Sequence, residues 1–484
     1  MSPHLLLGIV LAYFGLLLGV AFLASRGADN ESFFVGNRNS NWMLVAFGMI
    51  GTSLSGVTFI SVPGQVGAAG FSYFQIALGQ FIGYFVIAFV LLPLYYRLQL
   101  SSIYRFLGER LGPQAYRTGA GIFVVSRTLG ATARLYLVIK ILQEAILDAF
   151  GLPFWLTALV ILALILLYTF EGGVKTIVWT DTLQTAGMLL GLFVCVAYLL
   201  QGLGMNLSEA WQRLGSEGLS RVFVTDTASR SFWGKELLAG LFISIAMTGM
   251  DQEMMQKNIS VKRLADSQKN VVVLSVIMLA VVGLFLLLGG LLQLFAVHNG
   301  LPQRGDALFP AVVLGHLPAW VQIVFTVALI SALFPSADGA LTALTSSTCI
   351  DLLGIGQRGW PQARQTRVRR TVHISFAAVF FLAVMAFRWI NDPSMIGLIL
   401  KLAGYTYGPL LGLFAFGMFT RRQPRDAWVP LVALAAPALC WLIDSHQAAW
   451  FGGYQIGLEL LILNGALTFA GLWLASRMSA KRQD

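Results

Sequence analysis

The stretch Phe47-Gly48-Met49-Ile50-Gly51-Thr52-Ser53-Leu54-Ser55-Gly56-Val57-Thr58 lies inside an apolar segment, yet glycine, serine and threonine dominate it. Two structures fit such a run. In one, the backbone unwinds at the bilayer midplane and offers carbonyls to a cation and hydroxyls to a solute, as in transporters built from inverted repeats with broken helices. In the other, the helix is continuous and its small residues only let neighbouring helices approach. Pro63-Gly64 and the stretch from Gly67 to Gly70 tip the reading toward a break. A second anomaly stands far downstream, where Phe334-Pro335-Ser336-Ala337-Asp338 puts a proline and a carboxylate within another apolar span. A carboxylate in hydrocarbon is costly and by default marks an ion or proton site. The proline removes one helical hydrogen bond and releases the Ser331 carbonyl for another partner.

Composition sets the solvent. Of 484 residues, 57% are hydrophobic and 11% charged, with mean hydropathy +0.76, which describes a polytopic membrane protein. Cys195, Cys349 and Cys440 fall in or beside apolar spans with neither metal-ligand spacing nor a disulfide framework, so redox chemistry is not expected. The net charge of +10 is topological rather than a nucleic-acid footprint. It gathers in alternate loops: Arg97, Arg105, Arg110 and Arg117; Lys257, Lys262, Arg263 and Lys269; Arg358 to Arg370; Arg421, Arg422 and Arg425; and a tail with Arg477, Lys481 and Arg482. The connections near 148–154, 298–316 and 445–454 share only Arg304. The positive-inside rule therefore puts the clustered loops and the C-terminus in the cytoplasm.

Spans of about 20 apolar residues fall near 4–24, 43–66, 70–96, 118–147, 155–170, 181–203, 236–256, 271–297, 317–350, 371–390, 395–419, 427–444 and 455–475. Thirteen spans and a cytoplasmic C-terminus put the N-terminus outside. The first span reads as an uncleaved helix rather than a signal peptide, since it lacks a basic leader and Ala24-Ser25-Arg26 is a weak cleavage site. The outer connection at 204–235 carries Arg213, Arg221, Arg230 and Lys235 against the charge rule, as long translocated loops do. The expected fold class is an all-α integral membrane protein.

Four further constellations stand in or beside these spans. Glu171-Gly172-Gly173 leads to Trp179-Thr180-Asp181 and Gln184, running from a cytoplasmic turn into the sixth span. Asp251-Gln252-Glu253 to Gln256-Lys257 ends the seventh span and leads into a basic loop. Thr342, Thr345, Ser346, Ser347 and Thr348 continue the ninth span from Asp338 toward Asp351. Gly404-Tyr405-Thr406-Tyr407-Gly408-Pro409 lies in the eleventh, one turn after Lys401, with Phe419-Thr420-Arg421-Arg422 beyond. In this order the motifs resemble those of the sodium:solute symporter family, which includes bacterial proline, pantothenate, sialic acid and galactose carriers, over nearly the whole chain. The resemblance implies a five-plus-five inverted repeat of the leucine-transporter type. Residues 1–42 would be an extra helix and cytoplasmic loop, 43–203 the first repeat, 204–235 an external loop, 236–419 the second repeat, and 420–484 two further helices and a cytoplasmic tail.

The resemblance also implies a site for Na+. The family's principal site matches the carbonyls of Gly51, Leu54 and Ala332 and a hydroxyl pair at Pro335-Ser336, so one hydroxyl is missing here. A hard cation takes about six oxygen ligands, and the Ser331 carbonyl or a water is expected to compensate. Asp338 and Asp181 correspond to a second sodium site described in part of the family; paired carboxylates there favour a cation or hold a proton. Structural readings stand beside these. Asp181 is alternatively a helix N-cap, and Asp338 a group bonded only to a neighbouring hydroxyl. Asp251 is expected to shape the cytoplasmic end of its helix, Asp351 to cap or neutralise the basic loop after it, and His4, His298, His316, His373 and His446 to be interfacial.

Basic residues left within spans bear on the solute. Lys140 and Arg388 reach the interface by snorkelling, whereas Arg127 and Arg134, seven apart, share a helix face. By resemblance Lys401 replaces a sugar-binding glutamine, which implies an acidic solute held by a charge-assisted hydrogen bond; equally, Lys401 pairs with an internal acid. Ser53, Ser55, Thr58, Phe71, Phe74, Gln75 and Gln80 complete the expected pocket by their place in the first two repeat helices. The expected function is Na+-coupled symport of a small polar solute, anionic if Lys401 faces it, into the cell across the inner (plasma) membrane by alternating access. A proton-coupled carrier using Asp338 or Asp181, and a non-transporting sensor that would need a separate output partner, are the alternatives. No Ser-His-Asp, metal or phosphate-loop constellation points to an enzyme, and the bilayer and a small solute are the expected partners.

Overall fold

The structure, a computed structural model, describes residues 3–26, 33–34, 40–100, 102–170, 173–390 and 394–477. Glu171-Gly172, most of the loop between the first two spans, and Lys481 and Arg482 lie outside the described residues. The chain runs α1 (Pro3–Ala24), α2 (Trp42–Ala69), α3 (Tyr73–Val86, carried on by a π turn to Arg97), α4 (Pro113–Leu142), α5 (Phe154–Thr169) and α6 (Gly173–Gly202). There follow α7 (Trp233–Ser244), α8 (Gln252–Ile259), α9 (Leu264–His298), α10 (Ala319–Leu333), α11 (Asp338–Ser347) and α12 (Gln362–Ile390). The last are α13 (Met395–Thr406), α14 (Gly408–Phe419), α15 (Val429–Phe451) and α16 (Leu460–Leu474).

Among the described residues nine helices are long and apolar enough to cross a bilayer, or ten if α13 and α14, bent by 43°, are one span. The expected spans at 155–170, 236–256 and 455–475 fall on the shorter α5, α7 with its π turn, and α16. The protein is thus an all-helical, multi-pass membrane protein, and thirteen crossings stand as a proposal.

Besides the α13–α14 bend, three interruptions among the described residues position the site. Within α2, Ser55 has φ 37° and ψ 167°, a left-handed φ that a residue with a β-carbon rarely adopts. After α7, a π turn at Ile245–Gly249 ends at Met250, and the Asp251 carboxylate caps α8 by accepting from the Glu253 and Met254 amides at 2.9 and 3.3 Å. The seventh span is therefore broken like the second, and Asp251 starts its second half rather than shaping a cytoplasmic end. Between α10 and α11, Pro335 sits in a tight turn at Phe334–Ser336, where its missing N–H breaks the ladder.

The packing carries the internal symmetry. α2 packs chiefly on α9 and α7 on α3; α6 packs on α10 and α13 on α4. Each contact is the image of the other when spans two to six are laid on spans seven to eleven. The α3–α7 interface is backbone against backbone: a β-carbon at Gly79 would lie 2.1 Å from the Leu237 carbonyl, and one at Gly240 2.2 Å from the Ile76 carbonyl. Gly79→Ala must push these helices apart and is expected to cost about 1–3 kcal/mol, read as a lower unfolding temperature in detergent; an unchanged temperature would show that they do not pack this closely.

Loops of like expected side touch one another. Asp426 accepts from the Gln114 and Ala115 amides, Ser40 donates to the Ser260 carbonyl, and the Tyr96 hydroxyl donates to the Val261 carbonyl. In the other set, the Gln455 amide donates to Ala228, Lys235 to the Gln455 carbonyl, and the Met395 amide to Asp306.

Candidate ion and solute site

The break in α2 lies against the turn between α10 and α11. Gly51 and Gly56 make this approach possible: a β-carbon on Gly51 would stand 3.5 Å from Pro335 Cγ, and one on Gly56 3.4 Å from the Ala332 carbonyl oxygen. The two backbone segments expected to share an ion, Gly51–Leu54 and Ala332–Ser336, are therefore neighbours, and Leu54, Ala332 and Ser336 are all buried. One residue here was not anticipated. The Gly51 N–H donates to Thr185 Oγ1 at 3.1 Å, so this buried hydroxyl stands beside the position where Pro335 lacks one. Its spacing, four residues after Asp181 on the same helix face, was the available signal.

Next to this junction lies a buried chain of charges. Asp181 sits more than two turns past the start of α6, which removes its N-cap reading. Its Oδ2 accepts from Lys257 Nζ at 2.7 Å and from Thr52 Oγ1 at 3.2 Å. Lys257 Nζ also donates to Thr52 Oγ1 at 2.7 Å and lies 3.6 Å from Glu253 Oε1. Lys257 is 3% exposed. It is not a cytoplasmic loop charge, as the clustering suggests, because α8 carries it back into the bundle. Glu253 pairs in turn with Arg127, which lies 3.9 Å from Asp251, and Tyr407 donates to Asp251 at 2.7 Å. Asp338 accepts from the Tyr168 hydroxyl at 2.8 Å and from the Gly339 amide at 2.6 Å, the former being the hydroxyl contact its structural reading expects. Asp181, Asp338, Asp251 and Glu253 are all buried, so each of these carboxylates depends on its fixed partners.

The α2 break also borders a cavity of about 90 Å³, lined by Thr52, Ser53, Ser55 and Thr58 of α2, Gln80 of α3, and Arg127 and Arg134 of α4. Among the described residues no acid stands within ion-pair distance of Arg134 and it makes no hydrogen bond. Tyr73, Ile396 and Leu400 line both this cavity and a vestibule of about 400 Å³ flanked by the 204–235 and 455–458 connections.

Residues 33–426 match the sodium:solute symporter family. The chain belongs to that family. It is 22% identical over 475 residues to the sodium/sialic acid symporter NanT of Aliivibrio fischeri, covering 94% of this chain and 91% of the relative. It is 25% identical over 448 residues to the sodium-dependent multivitamin transporter of Oryctolagus cuniculus, covering 88% and 68%. The fold is that of a sodium-coupled sialic acid symporter solved in a substrate-bound, outward-open state, with a TM-score of 0.79 at 17% identity, covering 98% and 99% of the two chains. The protein is a sodium-coupled symporter, with Na+ as its coupling ion.

In this symporter Ser53, Ser55, Thr58 and Arg134 line the cavity, but Phe74, Gln75 and Lys401 do not. The Gln75 amide is committed to Glu236, the Ser231 carbonyl and the Val224 amide, tying α3 to α7 and the 204–235 connection. Phe74 is directed toward Gly283 of α9. Lys401 lines the vestibule and pairs with Asp444 at 3.1 Å, an acid partner as its alternative reading has it, but with the lysine 57% exposed rather than internal. Lys140 sits 3.9 Å from Glu144, and Arg388 lies over the Phe154 ring. His373 is buried, not interfacial: its two ring nitrogens lie 2.9 Å from Thr169 Oγ1 and Thr345 Oγ1, joining α5, α11 and α12. Asp351 accepts from Tyr116 and Ser347 instead of facing the basic loop.

Proposed function

We propose that the symporter moves an acidic solute into the cell across the inner membrane, with Arg134 holding the anionic group. The observation that carries this is a guanidinium with no acid among the described residues within ion-pair distance, in a polar cavity at a helix break. The resemblance to a symporter named for sialic acid supports the same class. Sodium is proposed at the Gly51, Leu54 and Ala332 carbonyls with Ser336, joining α2 to the α10–α11 turn, and Asp181 and Asp338 belong to the adjoining charged region. Ion binding fixes the two broken segments against each other, and the solute then draws Tyr73, Ile396 and Leu400 over the cavity, closing it to the vestibule. The two self-contacting loop sets support an external N-terminus and a cytoplasmic C-terminus.

Thermal unfolding of the purified protein against carboxylates, sugar acids, neutral sugars and amino acids, in sodium or potassium, tests the reading. Acids are expected to stabilise it, and only in sodium; stabilisation by neutral sugars alone would sink it. A hydrogen bond to a charged group is worth about 1.5–3 kcal/mol, so Arg134→Gln should weaken solute affinity about 10–100-fold. Lys401→Ala should change it by less than about fivefold, since an exposed ion pair contributes about 0–1 kcal/mol.

A further inference from the structure

We propose that the ammonium of Lys257 is a built-in cation standing in the second ion position, so that the symporter binds one Na+ at a time. This rests on the sodium-coupled reading above and concerns the region between Asp181 and Asp338 rather than the α2 break. Lys257 Nζ donates to Asp181 Oδ2 and Thr52 Oγ1, both at 2.7 Å, and lies 3.6 Å from Glu253 Oε1. A β-carbon on Gly339, next to Asp338, would be only 3.2 Å away, so the ammonium reaches the start of α11 as well. It thus meets oxygens from α2, α6 and α8 and borders α11, a set that a bound sodium would otherwise bridge.

An ammonium and a sodium ion ask for the same thing, several hard oxygens with net negative charge. Lysine has three donors to spend on them. The two do not share the place: unit charges about 4 Å apart repel by roughly 4 kcal/mol at the effective dielectric of a protein. Lys257 is the ammonium that pairs with Asp181 among the described residues, so removing it leaves Asp181 and Thr52 open to a replacement cation. The lysine differs from an ion in one respect. It crosses no membrane, so it completes the site without adding to the gradient that drives uptake.

Equilibrium binding of radiolabelled sodium to the purified protein tests this without knowledge of the solute. The wild type is expected to bind one ion, Lys257→Ala to double that, and Lys257→Arg to stay at one. Two ions on the wild type, or no gain in Lys257→Ala, overturns the inference. Should Lys257→Ala fail to fold, the wild-type count decides by itself. No sodium bound to the wild type overturns the coupling reading and this inference together, whereas two ions overturn this inference alone.

Discussion

Ser336→Ala is expected to bring sodium-driven uptake down to background while leaving the protein folded. The proposed ion site has three carbonyls, from Gly51, Leu54 and Ala332, and Ser336 supplies the hydroxyl that Pro335 does not double. A hard cation wants about six oxygens, and this site starts one short of its family pattern. Loss of a second hydroxyl has no slack to absorb it, and at about 1.5–3 kcal/mol for a bond to a charge the sodium requirement rises about 10–100-fold. The buried Ser336 leaves only a hydroxyl-sized gap, so folding survives. Uptake into proteoliposomes under an imposed sodium gradient, beside a size-exclusion profile, reads both effects; undiminished uptake would remove Ser336 from the site. Thr185→Val tests the replacement ligand by the same assay, and an increased sodium requirement there would identify the Thr185 hydroxyl as the substitute for the one absent at Pro335.

Arg127→Met is expected to prevent stable folding. Arg127 has a side chain 5% exposed, paired with Glu253 and within 3.9 Å of Asp251. Truncating one member of a buried ion pair leaves uncompensated charge and costs about 3–5 kcal/mol, here at a point where α4 holds the break between α7 and α8. The double variant Arg127→Met/Glu253→Gln removes both charges and should recover most of the loss. Thermal unfolding in detergent separates the two, and a single variant as stable as the wild type would show that the network holds nothing together.

The breaks were legible because they are local events. A run such as Gly51-Thr52-Ser53-Leu54-Ser55-Gly56 lacks the side chains that favour a continuous helix, and Pro335 lacks the N–H a helix needs, whatever surrounds them. The span pattern was legible for a similar reason, since hydrocarbon imposes one length and one polarity on every crossing. Lys401 shows the limit. Its place in the eleventh span was clear, but not the rotation of α13, which turns it to Asp444 of α15 and the vestibule. His373 shows it too, because a histidine near a span end is buried only when other helices cover it, as α5 and α11 do.

By itself, then, the sequence determined an all-helical membrane protein of the symporter family, interrupted at α2 and at Pro335. Only the tertiary structure decided where the charges went. Lys257 counts among loop charges as long as the chain is read in order, since the positive-inside rule sums residues near span ends without knowing that a span restarts. The break at Met250-Asp251 turns α8 inward and sets that lysine between Asp181 and Glu253. Pairing of buried charges depends on distances between helices far apart in the chain, and no local pattern encodes them.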